Sequence, residues 1–168
     1  MSDFPVRKRN RLKGYDYSQN GVYFLTLCTK NKKCILGRIV GDGDSDVPNM
    51  VLSEYGRITE KYIQSIESAY STVTLDSYVI MPNHIHLVIE LYSEENICKK
   101  TLSKDSANNT IPVVVSAFKR LVSKEVGYNF WQRSYHDHII RNEAALNTIR
   151  EYVANNPLRW KEDCFYCV

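Results

Sequence analysis

Tyr78-Val79-Ile80-Met81-Pro82-Asn83-His84-Ile85-His86-Leu87-Val88-Ile89-Glu90 reads as a strand, a short break at Pro82-Asn83, and a second strand. Side chains of a strand alternate between faces, so His84 and His86 project from one side while Ile85, Leu87 and Ile89 project from the other. The apolar row asks for a core. The imidazole row, mounted on a rigid strand, is a workable platform for one divalent metal ion. A His-x-His pair alone carries little weight, because two ordinary polar residues on a wet sheet face are the more frequent outcome.

Around this stretch the chain alternates between strand-like and helix-like patterns. Residues 22–29 are aromatic, β-branched and apolar and read as the first strand, which residues 34–40 extend or pair with across a Lys-rich turn at 30–33. In residues 41–48, Asp42, Asp44 and Asp46 mimic positions one, three and five of a calcium loop. Val47 stands where that loop needs Gly, and Ser53 where it needs Glu, so a polar turn is expected. Residues 52–69 carry Tyr55, Ile58, Tyr62, Ile63 and Ile66 at helical period. Residues 72–81 and 84–92 form the second and third strands, and the polar stretch 93–110 is a connection. Residues 113–126 return to helical period, with Val114, Phe118 and Leu121 facing in and Lys119, Arg120 and Lys124 facing out. Residues 131–140 fit a further strand, and Asn142 suits the N-cap of a helix that ends at Pro157. The order strand, helix, strand, strand, helix, strand, helix predicts an α+β fold with helices on one face of an antiparallel sheet.

At 168 residues this is one domain, large enough for a core without disulfides or a structural metal. The composition, 43% hydrophobic and 24% charged, excludes bulk disorder. No apolar run is long enough to span a membrane, and Met1-Ser2-Asp3-Phe4-Pro5 lacks the apolar stretch of a signal peptide, so a cytoplasmic location is expected. The five cysteines, Cys28, Cys34, Cys98, Cys164 and Cys167, are odd in number and scattered, which predicts reduced thiols. Cys164 and Cys167 have zinc-like spacing, but no second pair completes a closed site.

The net charge of +3 understates a local feature. Arg7, Lys8, Arg9, Arg11 and Lys13 stand together. Setting these five aside from the 22 basic residues leaves fewer than the 19 acidic ones. Such an arm is either a solvated tail or a phosphate-contacting extension.

Met-Pro-Asn-His-Ile-His-Leu at 81–87 resembles the HUH motif (His, hydrophobe, His) of the single-tyrosine transposase superfamily, and most closely the REP-associated tyrosine transposases and their insertion-sequence relatives. Three further segments fit that family in the right order: Arg11-Leu12-Lys13-Gly14-Tyr15-Asp16-Tyr17 with the apolar residues 23–28, then Phe130 to Asn142, then Glu151-Tyr152-Val153-Ala154-Asn155-Asn156-Pro157. The resemblance covers residues 7–160. It implies a ferredoxin-like core, a basic N-terminal arm over 1–20, an HUH domain over 21–160 and a C-terminal tail over 161–168.

Among twelve tyrosines, helical geometry singles out one for attention. In the last helix Leu146, Ile149 and Val153 define a buried stripe. At about 100° per residue, Tyr152 sits on its border, with Asn156 one turn further along the same edge. In the resembled family the tyrosine here is the nucleophile and an amide one turn later helps hold the metal, which implies catalytic Tyr152 and metal ligands His84, His86 and Asn156. Asn replaces the Gln of some relatives, changing the reach but not the donor atom. The implied cofactor is Mg²⁺ or Mn²⁺, with Mn²⁺ the better match to imidazole. The implied reaction is attack by Tyr152 on single-stranded DNA near a hairpin, giving a 5′-phosphotyrosine and a free 3′-hydroxyl.

His136 and His138 form a second same-face pair, a rival to the first. They either line the DNA groove, contact the scissile region or only hold a strand's outer face. Arg133, Lys119 and Arg120 join the arm as expected DNA contacts, whereas Trp131 reads as a core anchor. The protein is expected to act as a monomer or homodimer on single-stranded or hairpin DNA, associated with the nucleoid and not with a membrane. Two alternatives stand beside this reading. One is a domesticated nucleic-acid-binding protein of the same fold that no longer cuts; the other is a small-molecule hydrolase using Glu90 as base.

Overall fold

The computed structural model describes residues 16–41, 47–92 and 111–166. The basic arm up to residue 15, part of the Asp-rich turn and the whole 93–110 connection lie outside them.

Four strands form an antiparallel sheet: β1 (Gly21–Cys28), β4 (Val73–Ile80), β5 (His84–Leu91) and β6 (His136–Ile140), in the order β4-β5-β1-β6. With α1 (Glu54–Gln64) and α3 (Ile111–Val126) as crossovers, this is the ferredoxin-like arrangement. β5 and β1 are therefore central. Tyr23, Leu25 and Leu27 of β1 and Ile85, Leu87 and Ile89 of β5 share one face and pack on Ile63, Val114, Phe118 and Val122 of the two helices. Each fully buried Leu or Ile contributes roughly 1.5–3 kcal/mol there. The alternation expected for 84–90 is thus realised, with the apolar row in the core.

One part of the expected layering does not hold. The helices are not confined to one face, because α4 (Glu143–Asn155) lies on the imidazole side. Its Leu146 and Val153 pack on Val88 and Ile140, with Val22, Phe24 and Val79 around them. The alternate residues of these strands are apolar too, so the second face also needs a cover. Asn142 caps α4 as expected, its side-chain oxygen accepting from Ala145 N–H at 2.8 Å.

Other boundaries shift for identifiable reasons. Both edges of β1 are taken, by β5 and by β6, so residues 34–40 do not pair with it. Instead β2 (Gly37–Val40) pairs with β3 (Asn49–Leu52) in a separate two-stranded sheet. Helix α1 accordingly starts after Leu52, with Ser53 as N-cap accepting from Gly56 N–H. At Gly56 a Cβ would collide with the Leu36 carbonyl oxygen, which lets this first turn sit directly on backbone. The helical pattern that follows breaks at Ser65 and resumes as the short α2 (Ile66–Ala69).

The last strand begins at His136 and not at Trp131, which makes only one bridge, to Thr29. Trp131 turns into the core against Phe118 and Phe130. Lys119 was expected to face solvent. It is half-buried, its ammonium donating to the carbonyls of Gln132 and Ser134 at 2.8 and 3.1 Å, and burial pushes its pKa down to about 8. Cys34 is disulfide-bonded, contrary to the expectation of thiols throughout, with its partner outside the described residues; Cys28 and Cys164 are free. No helix among the described residues is long and apolar enough to cross a membrane.

Candidate active site

The two histidines of β5 are buried, 0% and 2% exposed. Burial of a polar ring is tolerable when its nitrogens are paired, and each Nδ1 is. His84 Nδ1 lies 2.9 Å from Asn83 Oδ1. The Asn83 amide nitrogen donates to the carbonyls of Lys32 (3.2 Å) and Phe165 (2.7 Å), so its oxygen faces the ring and accepts the Nδ1–H. That leaves Nε2 of His84 bare. His86 Nδ1 lies 2.9 Å from the hydroxyl of Thr26, its partner on β1. A hydroxyl donates or accepts; when it accepts, His86 Nε2 is bare as well. The two Nε2 atoms are 3.1 Å apart. Two lone pairs facing one another at that distance are satisfied by a shared cation.

Both rings are held neutral, the state in which an imidazole can bind a metal ion. Burial above all, with the charge of Lys32, drives His84 down to about 3; burial, with His84 alongside, does the same to His86. Phe24 stacks on His86 with ring centroids 5.0 Å apart.

Helix α4 brings the other two expected residues to the same place. Tyr152 Oη lies 3.4 Å from His86 Nε2, and its ring meets His86 edge-on at 5.3 Å between centroids. Tyr152 is 40% exposed, which matches its place on the border of the buried stripe. Burial, then the charge of Asp163, raises its pKa, while a hydrogen bond from Asn156 acts in the opposite sense. Asn156 is 2% exposed, and its Oδ1 is buried without a hydrogen-bond partner. An orphaned buried acceptor one helical turn from Tyr152, whose hydroxyl reaches His86, together with two neutral imidazoles is chemically suited to a divalent cation, so the expected ligand types fit the group.

A clamp ties α4 to β4. Asp76 is the extra residue of a bulge in β4, and Arg150 on α4 grips its carboxylate through Nε and Nη2. The guanidinium holds the Asp76 carboxyl below its ordinary value.

The remaining expected residues are placed elsewhere. His136 is the β6 partner of Thr26, and His138 that of Phe24, so both stand on the histidine face, but they are exposed at the sheet edge. At about 4.8 Å per strand spacing, His136 is roughly 10 Å from His86, outside the ligand cluster. Arg120 and Lys119 ride on α3, on the opposite side of the sheet from the histidines. Arg133 is exposed in the connection before β6. Residues 161–166, read as a tail, lie over the site. Phe165 packs on His84 at 4.7 Å between ring centroids, and Asp163 Oδ2 is 3.9 Å from His84 Nε2. Sequence reasoning missed Thr26, Asn83 and Asp163. Asn83 sits inside the Met-Pro-Asn-His motif and Thr26 follows from strand register, whereas nothing in the chain marks Asp163.

Two imidazoles on a central strand are thus faced by a tyrosine that shares one helix edge with an amide. Residues 18–156 match the family model described as Transposase IS200 like. The chain belongs to this family of transposases. It is 34% identical over 173 residues to a Haemophilus influenzae protein described as uncharacterized, covering 95% of this chain and 93% of that one. A second Haemophilus influenzae protein, provisionally named a REP-associated tyrosine transposase, is 24% identical over 147 residues, covering 86% and 74%. Among solved structures, a REP-associated tyrosine transposase bound to a REP hairpin shares the fold, with a TM-score of 0.60 and 17% identity over 89% of this chain and 73% of that chain.

Proposed function

We propose that this transposase cuts and rejoins single-stranded DNA beside a hairpin, using Tyr152 as nucleophile. The observation that carries the reading is the 3.4 Å approach of Tyr152 Oη to His86 Nε2 within one chain. His84, His86 and Asn156 would hold Mg²⁺ or Mn²⁺. When bound, the cation supplies Lewis-acid withdrawal of charge from a non-bridging phosphate oxygen.

The chain's own residues do the rest. Asn156, one turn further along α4, eases ionisation of the Tyr152 phenol. The phenol oxygen forms a bond to phosphorus as the bond to the 3′ oxygen breaks; the phenol proton leaves and the 3′ oxygen gains one. One phosphodiester is exchanged for another, so the 5′-phosphotyrosine retains the energy for rejoining. Burial makes the Tyr152 phenol harder to ionise than an ordinary one, so its activation falls to the bound cation and substrate. Phe24 and Phe165 wall the histidines and limit water at the reacting phosphate. Hairpin recognition is supported by likeness to the REP-bound relative, and strand contact by Arg7, Lys8, Arg9, Arg11, Lys13 and Arg133.

The test is incubation of the full chain with labelled single-stranded hairpin DNA and Mn²⁺, followed by denaturing electrophoresis. A covalent adduct with the wild type, absent in Tyr152→Phe although that variant still binds DNA, is expected. Hairpin binding with no adduct from the wild type would overturn the reading in favour of a non-cleaving DNA-binding protein.

A further inference from the structure

Asp163 follows the 3₁₀ segment Pro157–Glu162, and its carboxylate turns inward. Oδ1 accepts from Phe165 N–H at 2.7 Å, while Oδ2 is directed at His84 Nε2, 3.9 Å away. The side chain is 4% exposed. Among the described residues, His84 is the one basic side chain in ion-pair range of this carboxylate. A buried carboxylate facing a neutral ring is costly without a positive partner.

The spacing suits a cation. One nitrogen from each histidine and one Asp163 oxygen all lie within 4.8 Å of one another. Ligands about 2.1 Å from Mg²⁺ stand roughly 3.0 Å apart when adjacent and roughly 4.2 Å when opposite. The separations of 3.1 Å between the imidazoles and 3.9 Å from His84 to Asp163 are of that size.

We propose that Asp163 is a fourth protein ligand, completing a set of His84, His86, Asn156 and Asp163. This rests on the reading that the cation sits on the two histidines. A carboxylate among imidazoles makes the centre harder, so Mg²⁺ gains more from Asp163 than Mn²⁺ does. It also ties the cation to the turn that lays Phe165 over His84, and ligation tightens that turn.

Calorimetric titration of Mn²⁺ and Mg²⁺ into the full chain without DNA tests this, with Asp163→Asn and His84→Ala alongside. The Asn variant keeps an oxygen for Phe165 N–H and removes the charge. The expected result is binding by the wild type, at least about tenfold weaker Mn²⁺ binding by Asp163→Asn, a larger loss for Mg²⁺, and none by His84→Ala. Hydrogen exchange of the wild-type Phe165 amide should slow on saturation with Mn²⁺, and it decides the matter if the Asn variant does not fold. Unchanged Mn²⁺ affinity in folded Asp163→Asn, or unchanged Phe165 exchange, would overturn the role of Asp163 alone. A wild type that binds neither ion would overturn the cation-dependent reading itself.

Discussion

Thr26 and His86 are register partners on adjacent central strands, and the Thr26 hydroxyl lies 2.9 Å from His86 Nδ1. This bond aims the opposite ring nitrogen at the site. Thr26→Val keeps the shape and removes the hydroxyl, so Mn²⁺ affinity should fall by roughly 10–100-fold, with Thr26→Ser close to wild type. Mn²⁺ titration of the three proteins checks it. Equal affinities would mean that the Phe24 stack alone orients the ring.

Arg150 and Asp76 should set how closely Tyr152 approaches His86. The pair is partly exposed, so a double-mutant cycle with Arg150→Ala and Asp76→Ala should return only about 0.5–1 kcal/mol of coupling in stability. The adduct rate of Arg150→Ala should fall further than that, by about tenfold or more, because small displacements of a nucleophile are expensive. A rate that follows stability alone would remove the positioning role.

Acid should destabilise the fold earlier than its carboxylates require. His84 and His86 titrate near 3 in the folded chain and near 6.5 when unfolded. Between those values the unfolded chain binds more protons, so stability is full above about 6.5 and declines as pH falls toward 3. Urea midpoints at pH 7.5, 6 and 5 should decrease steadily, and the decrease should flatten in His84→Gln/His86→Gln. A loss that starts only below pH 4 would point to carboxylates such as Asp76.

Removing residues 1–13 should weaken hairpin binding and flatten its salt dependence while leaving adduct formation competent. Each phosphate contact gives a slope of about −0.7 in log K against log salt for single strands, so five cations account for at most about 3.5. About half of that is expected from a partly engaged arm. Parallel salt plots for the two proteins would make the arm a solvated extension.

The chain announced its sheet through period-two alternation at 84–90 and its last helix through Asn142 and the Leu146, Ile149, Val153 stripe, since these patterns follow directly from burial. Tyr152 and Asn156 were legible as one helix edge. The β2–β3 hairpin was not: Asn49 to Leu52 is too short for its period to stand apart from the helix that follows. The cover on the histidine face was hidden because two imidazoles in a row suggest water, although Phe24, Val79 and Val88 on the same face call for apolar partners. Asp163 lies in a short polar stretch, and only the chain path after Pro157 brings it under His84.

The site joins elements far apart in the order of synthesis. β5 lies against β1 across separations of 56 to 70 residues, and Tyr152 meets His86 across a separation of 66 residues. Such contacts form late, because loop closure must precede them. A nascent chain emerging N-terminal end first presents the paired histidines well before Tyr152 can reach them. On the proposed chemistry, a polypeptide arrested between β5 and α4 lacks its nucleophile, and cutting competence arrives only with the final helix.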